Sequence, residues 1–405
     1  MYYKNIYFHN VNQMKKTESG EYLLSRFPEN IINENCENDY KTIGVELRFK
    51  MLSDLVTLTF NCFGEPKGAI LIYVGSFYAK TITPIKSGIF TIEINKEIIL
   101  NEFLQNEQKY YTPFSSNVIR VILPSTEISF VNVEGEVEMP EDVEMPKTKL
   151  LFLGGSVLGS SNENLTTQLP FILANNLDAD YYDLSTNLAT LNLVETAKFL
   201  TTLNYAVAVI EGADDNVLAN NIKQYVKNYK LFVKILNKNK KVKNLFVDTF
   251  SLVTISKSNE ALKKVKEISK VAKPFKEINV TKNISFKDLG VTGCYYNPSA
   301  YIELINALYF ELDKVVPVYT SKDKKAIKLS GTYQKMNDTD EPTLTPIILT
   351  QKELNAKIKH EKDMLEIAKA NEKHKAKLEK QQQKLLSKQK GVAETDTPNT
   401  DNDVI

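Results

Sequence analysis

The sequence predicts two domains of different class: an all-β sandwich or jelly roll over residues 1–137 and an α/β domain with a parallel sheet over residues 149–317. Period-two alternation of apolar and polar residues fills the stretch from about 40 to 137. From Lys149 onward, short apolar runs alternate instead with amphipathic stretches of helical period. Between the two, residues 138–148 hold Pro140 and Pro146 among carboxylates, which suits an extended linker.

The first domain reads as half-buried antiparallel strands. Val45, Leu47 and Phe49 interleave with Glu46 and Arg48, and Val56, Leu58 and Phe60 with Thr57 and Thr59. Phe63-Gly64-Glu65-Pro66 and Lys86-Ser87-Gly88 are turn signals between such runs. In the second domain the apolar run at 150–153 ends in Gly154-Gly155-Ser156. Strands are expected at 181–184, 206–210, 244–250 and 277–280. Helices are expected at 165–177, 191–203, 217–236, 260–271 and 298–312. This alternation builds a parallel sheet covered on both faces. Ligands of such sheets sit at the carboxyl ends of the strands. The loops at Ser156, Ser185 and 211–216 share that edge.

Residues 318–350 read as irregular, 351–390 as a solvated charged helix with pairs such as Glu353/Lys357, and 391–405 as a disordered tail. Charged residues make up 25% of the 405 and the net charge is +1, which excludes a basic nucleic-acid binder as a whole. Cys36, Cys62 and Cys294 form no CxxC pair, so neither a disulfide framework nor a zinc ribbon is expected. No apolar run spans a membrane and no signal-peptide pattern opens the chain, so the expected location is cytoplasmic, with a virion or other assembly as the alternative. No P-loop or GxGxxG occurs, and no cofactor or metal is expected.

A strand ending in Gly-x-Ser exposes a serine hydroxyl beside backbone N–H groups able to bind an oxyanion. Ser156 fits that pattern, although glycines at such a turn also serve backbone geometry. Glu211, Asp214 and Asp215 form an acidic cluster that suits either a cation or a helix N-terminus, with Asp214 or Asp215 as the cap. The lysines from Lys238 to Lys243 suit a solvated helix end.

His9-Asn10-Val11, Ser25-Arg26-Phe27-Pro28, Gly44-Val45-Glu46-Leu47-Arg48-Phe49, Val118-Ile119-Arg120-Val121 and Leu151-Phe152-Leu153-Gly154-Gly155-Ser156-Val157 follow one another along the chain, within a likeness that covers about residues 8–315. In order and spacing the chain resembles the two-domain SGNH/GDSL esterases, in which a jelly roll precedes a flavodoxin-like hydrolase domain; deacetylating carbohydrate esterases are among them. The resemblance implies Ser156 as nucleophile. It places Ser185 at the oxyanion-hole glycine and Asp215 at the oxyanion-hole asparagine, with Asn216 reached by a one-residue shift. Thr292 and Tyr295 stand at the places of the Asp and His.

Only His9, His360 and His374 exist in the chain, none of them between residues 149 and 317. A serine without a base is a poor nucleophile, and a carboxylate at the asparagine place opposes an oxyanion. The expectation is therefore a non-catalytic relative acting in binding or assembly, with a glycan or small ester as ligand and a protein partner on the charged helix. The alternatives are an active acyl esterase using Ser156 with an unusual base, and a structural component of a phage or surface assembly.

Overall fold

The computed structural model describes residues 1–31, 41–64, 68–83, 86–109, 112–155, 158, 168–247, 259–278 and 298–316. The expected irregular segment, charged helix and tail at 318–405 lie outside the described residues, as do Ser156, Thr292 and Tyr295.

The first domain contains β1 (Tyr2–Tyr3), β2 (Ile6–His9), β3 (Gln13–Lys16), β4 (Tyr22–Ser25), β5 (Glu46–Met51) and β6 (Leu55–Phe63). It continues with β7 (Ile70–Val74), β8 (Phe77–Ile82), β9 (Gly88–Asn95), helix α1 (Asn101–Lys109), β10 (Ile119–Ile122), β11 (Glu127–Glu134) and β12 (Val137–Glu138). One antiparallel sheet runs β1-β2-β5-β10-β7-β8 with β12 beside β5, and the other runs β3-β4-β11-β6-β9. Leu47, Phe49 and Val121 of the first sheet meet Val56, Phe60 and Phe130 of the second in one core, so the domain is a sandwich. The alternation read from the sequence is what lets each strand give one side to this core.

The second domain contains β13 (Lys149–Leu153), α2 (Leu169–Asn176), β14 (Asp180–Asp183), α3 (Leu193–Leu200), β15 (Val207–Glu211) and α4 (Asp215–Ala219). Then follow α5 (Ile222–Leu236), β16 (Lys243–Val247), α6 (Asn259–Ala272), β17 (Lys276–Ile278) and α7 (Pro298–Asp313). Its five strands are parallel in the order β14-β13-β15-β16-β17, the second strand lying outside the first as in flavodoxin-like sheets. Leu151 and Leu153 face α3, α5 and α6, whereas Leu150 and Phe152 face α2 and α7. The single helix expected at 217–236 is two. The chain breaks at Asn220, and the Asn221 side chain caps α5 by accepting the Lys223 N–H at 3.1 Å.

The central strands β2, β5, β7 and β10 of the first sheet are buried on both faces, whereas the edge strands β1 and β8 remain partly exposed. The second face of the central strands lies against the other domain, where Arg48 meets Asp180 of β14 and Tyr73 meets Phe171 of α2, and Glu46, Arg48 and Arg120 are buried there. Arg48 grips Asp180 with two parallel bonds of 2.8 and 2.7 Å and donates its Nε to Glu46 at 2.8 Å. Arg120 donates to both oxygens of Glu46 at 3.0 and 2.9 Å. Two guanidinium groups and two carboxylates thus neutralise one another, which is what makes their burial tolerable. The Phe114 ring lies under both guanidiniums, 3.8 Å from that of Arg120 and 4.9 Å from that of Arg48.

The proline-bearing span between the domains is not extended throughout. Asp142–Glu144 form a 3-10 turn closed by a reciprocal cap between Glu141 and Glu144. Met145 then packs on Tyr7 and Phe114, sealing the charged cluster.

Candidate active site at the carboxyl edge of the parallel sheet

Three loops meet at the carboxyl edge of the parallel sheet, following β13, β14 and β15. The first is Gly154-Gly155. A Cβ on Gly154 would fall 2.7 Å from the Glu211 carboxylate and from Leu158, and one on Gly155 would fall 2.4 Å from the Asp214 Cβ. Neither glycine has the positive φ that would call for glycine on conformational grounds. Both are required by close approach of the acidic loop after β15.

The acidic residues act as ties. Glu211, buried at the end of β15, accepts the Gly155 N–H at 2.7 Å. Asp214 is the cap of α4, accepting the Val217 N–H at 2.9 Å, and its other oxygen accepts the Leu188 N–H at 3.0 Å. One carboxylate therefore joins the loops after β14 and β15 while pressing on Gly155. The capping role was legible in the sequence, but the contact with Gly155 was not. Asp214 reaches the Gly155 turn that ends β13. Asp215 is the first residue of α4, and Asn216 is exposed on that helix.

Ser185 is buried just past β14. Its N–H points at Asp183 and donates to the Oδ1 of that residue at 2.9 Å. Burial pushes the Asp183 carboxyl upward in pKa, against the opposing pull of Arg26 and of the Ser185 donors. Arg26 donates to the Asp183 carbonyl at 2.9 Å and Asn10 does the same at 2.9 Å. Gly44, with φ +69°, lets the first domain approach so closely that a Cβ there would meet the Asp183 Cβ at 2.9 Å. The loop carrying Ser185 is thus held from below by the sandwich.

His9 sits in the same interdomain layer. Its Nε2 lies 2.5 Å from the Tyr181 carbonyl oxygen and 3.3 Å from Asp180, and its ring stacks on Tyr182. A carbonyl partner requires the proton on Nε2. Burial first, and then Arg48, pull its pKa down to about 4, against Asp180 and Glu46. The ring is a neutral structural donor, committed to the β14 backbone.

Among the described residues no group of three or more His, Cys, Asp and Glu is placed to hold a metal ion. No helix among them is long and apolar enough to cross a membrane.

No family model matches the chain, and no curated protein matches its sequence. Solved structures do match in shape. The salicylyl-acyltransferase SsfX3 of a tetracycline biosynthetic pathway superposes with a TM-score of 0.59 at 10% identity, over 76% of this chain and 94% of that one. A family two carbohydrate esterase from Cellvibrio japonicus gives 0.50 at 11% identity, over 77% and 96%. A GDSL-like lipase from Bacteroides ovatus gives 0.50 at 12% identity, over 76% and 97%. Nearly the whole of each neighbour is covered, so the likeness embraces both domains. The chain has the fold of the two-domain SGNH/GDSL-type esterases and acyltransferases.

Proposed function

We propose that the chain is a non-catalytic member of this structural group, a jelly roll joined to an SGNH-like domain that serves binding or assembly. The observation that carries the reading is the Ser185 N–H. An oxyanion hole needs donors left free for the charge that develops in the transition state. At Ser185 the donor is already given to Asp183 at 2.9 Å, inside a buried loop. Asp214 beside Gly155 adds negative charge where an oxyanion would need the opposite. The chain also supplies no histidine between 149 and 317, and His9 is committed to Tyr181. With no histidine in that stretch of sequence, the reading is of a carboxyl edge without the usual proton-transfer chemistry of an esterase. The ligand class in keeping with the structural neighbours is an O-acylated glycan or small ester, held without turnover.

The test is hydrolysis of p-nitrophenyl acetate by the wild type and by Ser156→Ala, with phosphonate labelling of Ser156. The expected rates are equal and at background, with no label incorporated. Turnover well above background that disappears in Ser156→Ala would establish an active acyl esterase with an unusual base.

A further inference from the structure

The charge of the chain is unevenly distributed. Residues 216–247 contain eight lysines and no carboxylate, although the net charge of the whole chain is only +1. The fold turns this run into a surface. Helix α5 buries Ile222, Tyr229, Phe232, Val233 and Leu236 against the sheet. Its opposite side carries Lys223, Lys227, Lys230 and Lys234, all exposed. Their spacing of three and four residues places them on one stripe, which Lys238 prolongs to about 22 Å. Helix α6 lies beside α5 on the same face of the sheet and adds the exposed Lys263, Lys266 and Lys270, with exposed Lys273 just past its end. The one ion pair on α6 joins Glu260 to Lys264. Among the described residues none of the other lysines named here has a carboxylate within ion-pairing distance.

We propose that the outer face of α5 and α6 docks the protein on an anionic lipid surface. The composition of the face selects this partner among polyanions. Its cations are all lysine, outnumbering the exposed Glu260 and Glu267 of α6, because all three arginines of the chain, Arg26, Arg48 and Arg120, are buried. Lysine is a point charge suited to a diffuse negative field, whereas nucleic-acid recognition draws on arginine forks and exposed aromatic rings. No aromatic side chain is exposed on α5 or α6. The apolar element at the lysine stripe is Leu231, 43% exposed beside Lys230, which suits contact with a headgroup layer. Since the apolar side of α5 is consumed by the core, attachment is electrostatic and reversible, worth about a factor of five per lysine near the surface. The inference holds whether or not Ser156 is catalytic.

The experiment is cosedimentation of the full chain with vesicles at moderate ionic strength. Phosphatidylcholine alone is compared with three parts phosphatidylcholine to one part phosphatidylglycerol. Binding is expected only to the anionic vesicles and is expected to fall steeply with added salt. The variant Lys227→Glu/Lys230→Glu/Lys234→Glu should lose about 100-fold in partitioning or more, with an unchanged melting temperature because the three side chains are exposed. A control with the same charge change on the sandwich, Lys16→Glu/Lys80→Glu/Lys96→Glu, should keep most of the binding. Equal losses in the two variants, or no preference for phosphatidylglycerol, would overturn the proposal. Tighter binding to duplex DNA than to vesicles at equal phosphate and salt would overturn the lipid assignment and identify a nucleic-acid face.

Discussion

At the scale of single residues, the chain places its most polar side chains where water is absent, and each has a structural duty. Asp180 shows how the balance is struck. Burial opposes its ionisation, yet Arg48 and His9 hold its carboxyl well below the usual range. Glu46 is likewise opposed by burial and held at about 2 by Arg120 and Arg48. The sign of the pH effect follows. The unfolded chain protonates His9 near pH 6.5, whereas the folded chain protonates it only near 4. Acidification across that window therefore favours unfolding, by on the order of 3 kcal/mol in all, and the loss levels off below 4. Between 4.5 and 2 Glu46 extends the same trend, since it too is protonated first in the unfolded chain. Urea midpoints taken from pH 7 to pH 4 should fall for the wild type. His9→Gln, which can still donate to the Tyr181 carbonyl, should show a much flatter profile over that range. An equally steep fall in His9→Gln would remove His9 as the cause. A second residue-scale expectation concerns Arg48. Arg48→Ala leaves Asp180 buried without its fork and should cost about 3–5 kcal/mol in chemical denaturation. Arg48→Lys should rescue only part of this, because an ammonium cannot reproduce the paired bonds to both oxygens of Asp180.

At the scale of elements, the two classes of sheet were legible because their periods differ. Leu47 and Phe49 alternate with Glu46 and Arg48, whereas Leu150, Leu151, Phe152 and Leu153 form an unbroken apolar run. Alternation reveals which residues share a face and is silent on what covers that face. Glu46 and Arg48 therefore read as the wetter side of a half-buried strand, while the structure buries them under β14. The motifs that carried the family resemblance, through His9, Arg26, Gly44 and Arg48, proved to hold the residues that fasten one domain to the other. Around the candidate site the glycines were legible, but their reason was not. Nothing in the local sequence tells that Asp214, fifty-nine residues after Gly155, would press upon it. That contact makes a third prediction. Gly155→Ala requires displacement of a capping carboxylate and should lower stability by more than the usual gain of alanine over glycine, by about 1–3 kcal/mol. In Gly155→Ala/Asp214→Gly the clash is gone, because the nearest atom is the Asp214 Cβ, which alanine would keep, and only the loss of the cap, about 1 kcal/mol or less, should remain. A double-mutant cycle over these two positions measures the coupling, and strict additivity would show that the loop moves aside freely.

At the scale of the whole molecule, the sandwich and the α/β domain are two cores that share their boundary. Phe27 and Ile31 of the first domain belong to the cluster built around α3, α5 and α6. Leu71, Tyr73 and Ile122 belong to the cluster under α2 and α7. Between these apolar contacts lies the neutral set of Glu46, Arg48, Arg120 and Asp180, which cannot be exposed one partner at a time without leaving a charge uncompensated in a dry layer. The geometry of the carboxyl edge depends on this boundary, because Arg26 and Asn10 hold the Asp183 carbonyl, and Asp183 in turn takes the Ser185 N–H. The α/β domain should therefore not behave as an independent folding unit. The full chain is expected to unfold in one calorimetric transition whose van't Hoff and calorimetric enthalpies agree. Residues 149–317 expressed alone would present Asp180, Tyr181 and Leu150 without their covering sheet, and should melt well below the full chain or fail to fold. Arg48→Ala should lower the transition of the full chain and broaden it toward two steps, since the interface loses its cooperative tie while each hydrophobic core stays whole. Two well-separated transitions in the wild type, or an isolated 149–317 fragment as stable as the full chain, would contradict the shared-boundary account and make the buried ion pairs incidental to folding.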